Sequence, residues 1–137
     1  MNIAPARPGT RDIATDNDVG VIVRSFYRAA IPDELLGPVF ERFGVDWSRH
    51  IPKLVRYWEH VLLRRPGSGV NTISAHGDVQ RIAPFGAAHI DRWVELWDDT
   101  VDALYAGPVA EQAKTRARQV GRALRSRLPR GIEGATT

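Results

Sequence analysis

Few side chains in this sequence can do chemistry, because it contains no cysteine and only four histidines: His50, His60, His76 and His89. Without thiolates, zinc–thiolate and iron–sulfur sites are excluded, so metal chemistry depends on histidine, carboxylates or a cofactor with its own ligands. We also find no phosphate-binding loop, His-Glu-x-x-His motif or Gly-x-Ser-x-Gly turn. The candidate chemistry therefore rests on the imidazoles.

His50 lies at the margin of an apolar stripe. At about 100° per residue, the segment that follows Asp46 places on one side a set of mostly apolar residues, Trp47, Ile51, Leu54, Trp58 and Val61. His60 falls on the opposite, charged side and is most simply a solvated histidine. A histidine on an apolar face is usually a packed, hydrogen-bonded residue, so a ligand or catalytic role for His50 is the less common alternative.

His76 is different, since it lies in an irregular segment, residues 66–85, where packing does not demand an imidazole. This segment is too long for an ordinary tight connection. His89 lies at the edge of a later apolar stripe, and periodicity does not separate its role from that of His50. Two histidines from different segments can approach opposite faces of a flat metal cofactor, one binding the iron and the other facing the open position, as in haem proteins.

The elements that position these residues are predicted to be helices, because apolar residues recur at spacings of three and four. The strict alternation that is typical of strands is hard to find. We predict an all-α fold with five helices. The first begins at a cap near Thr15 or Asp16 and ends before Pro32, and Asp33 and Asp46 cap the next two. The four later helices are expected over residues 34–43, 47–65, 87–105 and 109–128.

Length and composition predict one folded domain, since the chain has 137 residues, of which 43% are hydrophobic and 26% charged. We place this domain at residues 15–130. Residues 1–14 carry turn-forming residues and no apolar stripe, so we expect a loose arm outside the core, and residues 131–137 a flexible tail. No apolar run approaches a membrane span and no secretion signal is recognised, so we expect a cytoplasmic protein with no membrane partner.

The basic residues are concentrated near the end of the chain. Seven of them and no acidic residue fall between Lys114 and Arg130. Such a helix can contact phosphates, but no interleaved aromatic residues accompany it, and a solvated face is the simpler interpretation. Nucleic acid is therefore an unlikely partner, and a helical interaction module that uses this basic helix is kept as an alternative.

Three local patterns together resemble the truncated haemoglobins, specifically group III. They are Phe26-Tyr27 followed by Leu36-Gly37-Pro38-Val39-Phe40, then Trp47-x-x-His50 continuing into Tyr57-Trp58, and finally Asp91-Arg92-Trp93-Val94-x-Leu96-Trp97. The resemblance covers roughly residues 15–128. It implies a truncated-globin helical sandwich that encloses a haem.

The resemblance also assigns roles to residues. It makes Tyr27 the distal tyrosine, His50 the distal histidine and Trp93 the tryptophan that completes the distal pocket. His76 becomes the proximal iron ligand, with His89 as its rival and otherwise a packing residue. Apolar walls of the haem pocket are then formed by Phe40, Leu54 and Trp58. Candidate partners of the haem propionates, by position only, are Arg49, Arg64, Arg65 and Arg81.

The implied function is gas chemistry at a histidine-ligated haem b. An open position on the iron takes O₂, NO or CO, and hydrogen-bond donors opposite it slow the release of O₂. Slow release favours NO dioxygenation or a peroxidase-like reaction with peroxide over bulk transport, and a separate reductase or other electron donor is then needed. A haem-based gas sensor is the alternative that keeps the cofactor.

Overall fold

A computed structural model describes residues 11–64 and 85–128. In this part of the chain there are five helices and no strand: α1 (Asp16–Ala30), α2 (Gly37–Phe43), α3 (Trp47–Leu63), α4 (Ala87–Leu104) and α5 (Pro108–Ser126). The all-α prediction is confirmed. None of the described helices is both long enough and apolar enough to cross a membrane.

Helix α1 begins where its capping residues predict. The Thr15 hydroxyl accepts a hydrogen bond from the Asp18 backbone N–H, and the Asp18 carboxylate accepts one from the Thr15 N–H, which forms a capping box. The buried face of this helix carries Val19, Ile22, Val23, Phe26 and Tyr27. Local capping and apolar spacing therefore agree on both the start and the buried side of α1.

Helix α2 begins later than predicted. Asp33 was expected to cap a helix from residue 34, but its carboxylate accepts hydrogen bonds from Leu35 N and Leu36 N within a turn. The helix starts at Gly37, with Pro38 in its first turn, where the missing proline N–H has no intrahelical partner to lose. Gly44 ends it as predicted, in the left-handed conformation with φ of 69°.

The core lies where α1 and α5 pack against α4, with α3 on α1. Trp97 of α4 is 2% exposed, and its indole N–H donates a hydrogen bond of 3.2 Å to the Ala113 carbonyl of α5. Alanines on the buried face of α5, Ala110, Ala113 and Ala117, leave room for this large ring. The close packing of α4 and α5 thus depends on small residues opposite large ones.

Residues 11–14 do not belong to a loose arm, and this part of the prediction for residues 1–14 is wrong. Ile13 is 3% exposed and lies in the core. The Asp12 carboxylate accepts hydrogen bonds from Val109 N and Ala110 N, which are otherwise unpaired at the start of α5. Gly107 has a φ of 143°, and a Cβ there would come within 2.5 Å of Asp12. Residues 1–10 lie outside the described residues.

Asp18 joins this N-terminal segment to the rest of the fold. Its carboxylate, 4% exposed, accepts hydrogen bonds from the Arg11 guanidinium, the backbone N–H groups of Ala14 and Thr15, and the Tyr105 hydroxyl. The hydrogen bonds from Arg11 lower the pKa of Asp18 far below its usual range, although burial opposes them, and the other donors lower it further. The ionised carboxylate is therefore the form that the fold stabilises.

We predict that Asp18→Asn lowers the free energy of unfolding by about 2–3 kcal/mol at pH 7, because the donors around it lose their anionic acceptor. Since the pKa of Asp18 is lowered by folding, the wild-type advantage is present above about pH 4 and is lost as the pH falls further. Urea denaturation at pH 7 and pH 2.5 measures both effects. The exposed Asp16→Asn is the control, with an expected loss below about 1 kcal/mol. An equal difference in free energy of unfolding between wild type and Asp18→Asn at both pH values contradicts this account.

Candidate functional site

A largely apolar cavity lies between the end of α1, α2, the first turns of α3 and α4, and the end of α5. Its volume is about 100 Å³, and it opens toward solvent. Its walls are formed by Tyr27, Leu36, Val39, Phe40, Phe43, Val45, His50, Phe85, His89, Ile90, Trp93 and Leu124. The cavity thus contains three predicted distal residues, Tyr27, His50 and Trp93, together with Phe40.

Tyr27 and His50 face each other on one wall. Their ring centroids are 5.9 Å apart in an edge-to-face arrangement, and Trp47 packs 5.0 Å from Tyr27 and 5.7 Å from His50. Burial raises the pKa of the Tyr27 hydroxyl far above its usual value near 10. Tyr27 therefore keeps its proton at any physiological pH and can serve as a hydrogen-bond donor.

Trp93 reaches the same cavity from α4. It packs edge-to-face on Phe26, at 6.4 Å between ring centroids. The neighbouring Arg92 donates a 2.8 Å hydrogen bond from its Nε to the buried carboxylate of Asp33, which ties α4 to the turn before α2. This ion pair fixes the spacing of the two elements that carry Trp93 and Phe40.

Leu54 and Trp58 do not line the main cavity. Both lie on a smaller adjoining cavity of about 20 Å³, which shares Tyr27 and Trp93 with the main one. Trp58 is 4% exposed and stacks on Trp97, with ring centroids 4.4 Å apart and an interplanar angle of 21°. Of the predicted wall residues, Phe40 therefore lies on the main cavity, and Leu54 and Trp58 form a layer behind it.

His89 lies on the cavity wall at the start of α4. Its Nδ1 accepts a 2.9 Å hydrogen bond from the Gly86 backbone N–H, so its proton, in the neutral ring, is on Nε2. Burial, and to a smaller extent the charge of Arg42, lowers the pKa of His89. If Nε2 bound a metal, the remaining proton would move to Nδ1 and break this cap. His89 is consequently suited to packing and capping.

His76 lies outside the described residues, and so do Arg65 and Arg81. Of the other candidate propionate partners, Arg49 is exposed and lies 3.9 Å from the Asp46 carboxylate, and Arg64 ends α3 with a positive φ of 57°. His60 is exposed on α3, as its position opposite the apolar stripe predicted.

Several wall residues were not singled out from the sequence. Phe43 follows Val39 and Phe40 at helical spacing, so apolar periodicity in α2 carried a signal for it. Val45 and Phe85 lie in connections just outside helices, where periodicity gives no indication of which side chains turn inward.

We predict that His89→Ala lowers the free energy of unfolding by about 1 kcal/mol at pH 8, because Gly86 N–H loses its acceptor. Folding lowers the pKa of His89, so this contribution is present above about pH 6.5 and is lost as the pH falls through the lowered value. Denaturant unfolding at pH 8 and pH 5 should show that the difference in free energy of unfolding between wild type and His89→Ala becomes smaller at the lower pH. His60→Ala is the exposed control, and a gap that widens on acidification would argue against the cap.

Comparison with known proteins gives one informative match. No model of a known protein family matches the sequence, and no curated protein matches it. Among solved structures, the chain is similar to the group III truncated hemoglobin from Campylobacter jejuni, with a TM-score of 0.74 and 20% sequence identity over 85% of this chain and 93% of that one. The fold that the three sequence motifs implied is therefore confirmed, and this chain has the truncated-globin fold.

Proposed function

We propose that this protein is a haem-binding truncated globin that reversibly binds O₂ and other diatomic gases and uses them in redox chemistry. The observation that carries the proposal is the cavity itself, in which Tyr27, His50 and Trp93 line one space within a truncated-globin fold. Three side chains able to donate hydrogen bonds, in an otherwise largely apolar cavity, match what a bound, partly negative O₂ requires.

The described residues fit a haem. Most of the wall is aliphatic or aromatic, as a large flat hydrophobic ring requires. When bound, haem iron supplies an open coordination position for gases and an electron for their reduction. The sequence has no cysteine for thioether attachment, so the cofactor would be held without covalent bonds, as haem b.

The permanent iron ligand in this proposal is His76. The resemblance to the group III truncated haemoglobins gives His76 this role. Among the described residues, two other histidines, His50 and His89, lie on the cavity wall. His50 belongs to the aromatic wall with Tyr27, and His89 uses Nδ1 to accept the Gly86 N–H, which does not match a neutral histidine that ligates through Nε2. Neither is well placed to be the proximal ligand.

The polar wall would decide reactivity. Tyr27 remains protonated, and each hydrogen bond to bound O₂ contributes about 1 kcal/mol net, or somewhat more in a dry site. Two or three such bonds slow the release of O₂, which suits NO dioxygenation or peroxide reduction better than transport. Either reaction requires an external electron donor, and the propionates would find partners among the arginines near the end of α3 or in the segment after it.

The alternative of a haem-free module with a basic helix is weakened by the ion pairs of α5. Arg118 and Arg125 bind Asp98 and Asp91 of α4 at 3.0 and 2.7 Å, and Lys114 lies 2.7 Å from Asp102. These cations thus have carboxylate partners within the domain. The charges contribute to the packing of α4 on α5 and are not free to form a continuous anion-binding face.

We predict that Tyr27→Phe raises the rate of O₂ dissociation about fivefold, which corresponds to one lost hydrogen bond of about 1 kcal/mol. Stopped-flow displacement of O₂ by CO measures the rate. Tyr105→Phe is the matched control, because it removes the hydroxyl of another buried tyrosine outside the cavity. A rate that is unchanged in Tyr27→Phe, with haem fully bound, would remove Tyr27 from the gas site.

The reaction itself is tested by mixing the O₂-bound protein with NO. Dioxygenation joins one O₂ and one NO to give nitrate, with one electron taken from the iron, which is left ferric. We expect that mixing with NO oxidises the haem iron completely to the ferric state and that one nitrate forms per haem. Slow or absent oxidation would exclude the dioxygenase function and leave peroxide reduction as the supported chemistry.

A further inference from the structure

A continuous line of aromatic rings runs from the cavity to Tyr57, which contacts the exposed Arg116. Phe26 lies 5.4 Å from Trp97, Trp97 stacks at 4.4 Å on Trp58, and Trp58 lies 5.3 Å from Tyr57, all between ring centroids. Trp93, on the cavity wall, begins the line, 6.4 Å from Phe26 and one helical turn before Trp97. Three of the four tryptophans of the chain therefore lie on one path.

The far end of this line is chemically distinct. Tyr57 is 9% exposed, and its hydroxyl oxygen accepts a 3.1 Å hydrogen bond from the Nε of the exposed Arg116. The Tyr57 oxygen thus keeps a cationic partner whether or not it carries its own proton. A buried phenol that is hydrogen-bonded to an exposed guanidinium is a suitable point for exchanging an electron with an anionic reagent at the surface.

In this chain, which has no cysteine, tryptophan and tyrosine are the side chains that are most readily oxidised by one electron. An apolar core needs only the volume of such residues, which leucine or phenylalanine also supplies. The stacked pair Trp58 and Trp97, in contrast, provides overlapping π-systems in the middle of the path. The Trp97 indole N–H donates a hydrogen bond to the Ala113 carbonyl, which fixes the orientation of this ring.

We propose that Trp93, Trp97, Trp58 and Tyr57 form an electron relay, by which an anionic one-electron donor at the surface beside Arg116 reduces an oxidant in the cavity. This inference rests on the proposed function, since the oxidant is peroxide bound where the haem is proposed to lie. It deepens that function by naming the entry point and the class of electron donor.

The reaction is balanced over one turnover. One hydrogen peroxide takes up two electrons and two protons, its O–O bond breaks, and two water molecules form. Trp93 donates each electron to the oxidant and is then reduced again by electrons that pass from Tyr57 through Trp58 and Trp97. The oxidised Tyr57 loses its proton to solvent. Two donor molecules each give one electron to the Tyr57 radical, and Tyr57 takes up a proton from solvent each time it is reduced.

The test uses haem-loaded protein and two readouts. Without a donor, hydrogen peroxide is added and the protein radical is trapped by freeze-quenching and identified by electron paramagnetic resonance, with oxidised residues located by mass spectrometry. With a donor, the oxidation rate of the bulky dianionic dye ABTS is measured. The variants are Tyr57→Phe and Trp58→Phe, and Tyr105→Phe is the matched control.

We expect a tyrosyl radical at Tyr57 in wild type and in Tyr105→Phe, and its loss in Tyr57→Phe. ABTS oxidation should fall at least tenfold in Tyr57→Phe and in Trp58→Phe, whereas the absorption spectrum of the haem stays unchanged in Tyr57→Phe. A normal haem spectrum with wild-type radical yield and ABTS rate in Tyr57→Phe overturns the relay alone. Absence of any haem spectrum overturns the proposed function and the relay with it.

Discussion

The fold and the cavity both depend on the packing of two adjacent aromatic residues, Phe26 and Tyr27, late in α1. Phe26 turns into the core and contacts Trp97 edge-to-face, whereas Tyr27 turns toward the cavity and contacts Trp47 and His50. Their own rings meet at 4.8 Å and nearly at right angles. Edge-to-face pairs restrict ring orientation as well as distance, so the core directly fixes how Tyr27 is presented.

Electrostatics divide the molecule into a charged scaffold and a neutral cavity. The carboxylates of Asp18 and Asp12 hold the N-terminal segment and the start of α5, and Asp33 with Arg92 holds α2 against α4. On the cavity wall, burial keeps Tyr27 protonated and favours neutral His89. Uncharged hydrogen-bond donors such as Tyr27 suit the neutral gas of the proposed function, because they stabilise only the charge that the bound gas acquires.

The sequence predicted what local rules determine. Capping residues and apolar spacing placed α1, α3, α4 and α5 closely. The resemblance to the truncated haemoglobins singled out Tyr27, His50 and Trp93, and these three residues line one cavity. Prediction from the sequence failed where the cause is tertiary. The role of residues 11–14 depends on Asp12 reaching Val109, which is 97 positions away, and the capping bond of His89 depends on its ring orientation. Periodicity likewise does not distinguish the wall of a cavity from the layer behind it, where Leu54 and Trp58 lie.

The most direct test of the central claim, that the cavity holds a histidine-ligated haem, is the absorption spectrum of protein supplied with haem, recorded ferric, ferrous and ferrous with CO. The account predicts a stoichiometric Soret band that shifts with CO, is lost in His76→Ala and is retained in His89→Ala. Loss of the band in His89→Ala with retention in His76→Ala would reverse the ligand assignment. Failure of wild type to bind haem would contradict the account as a whole.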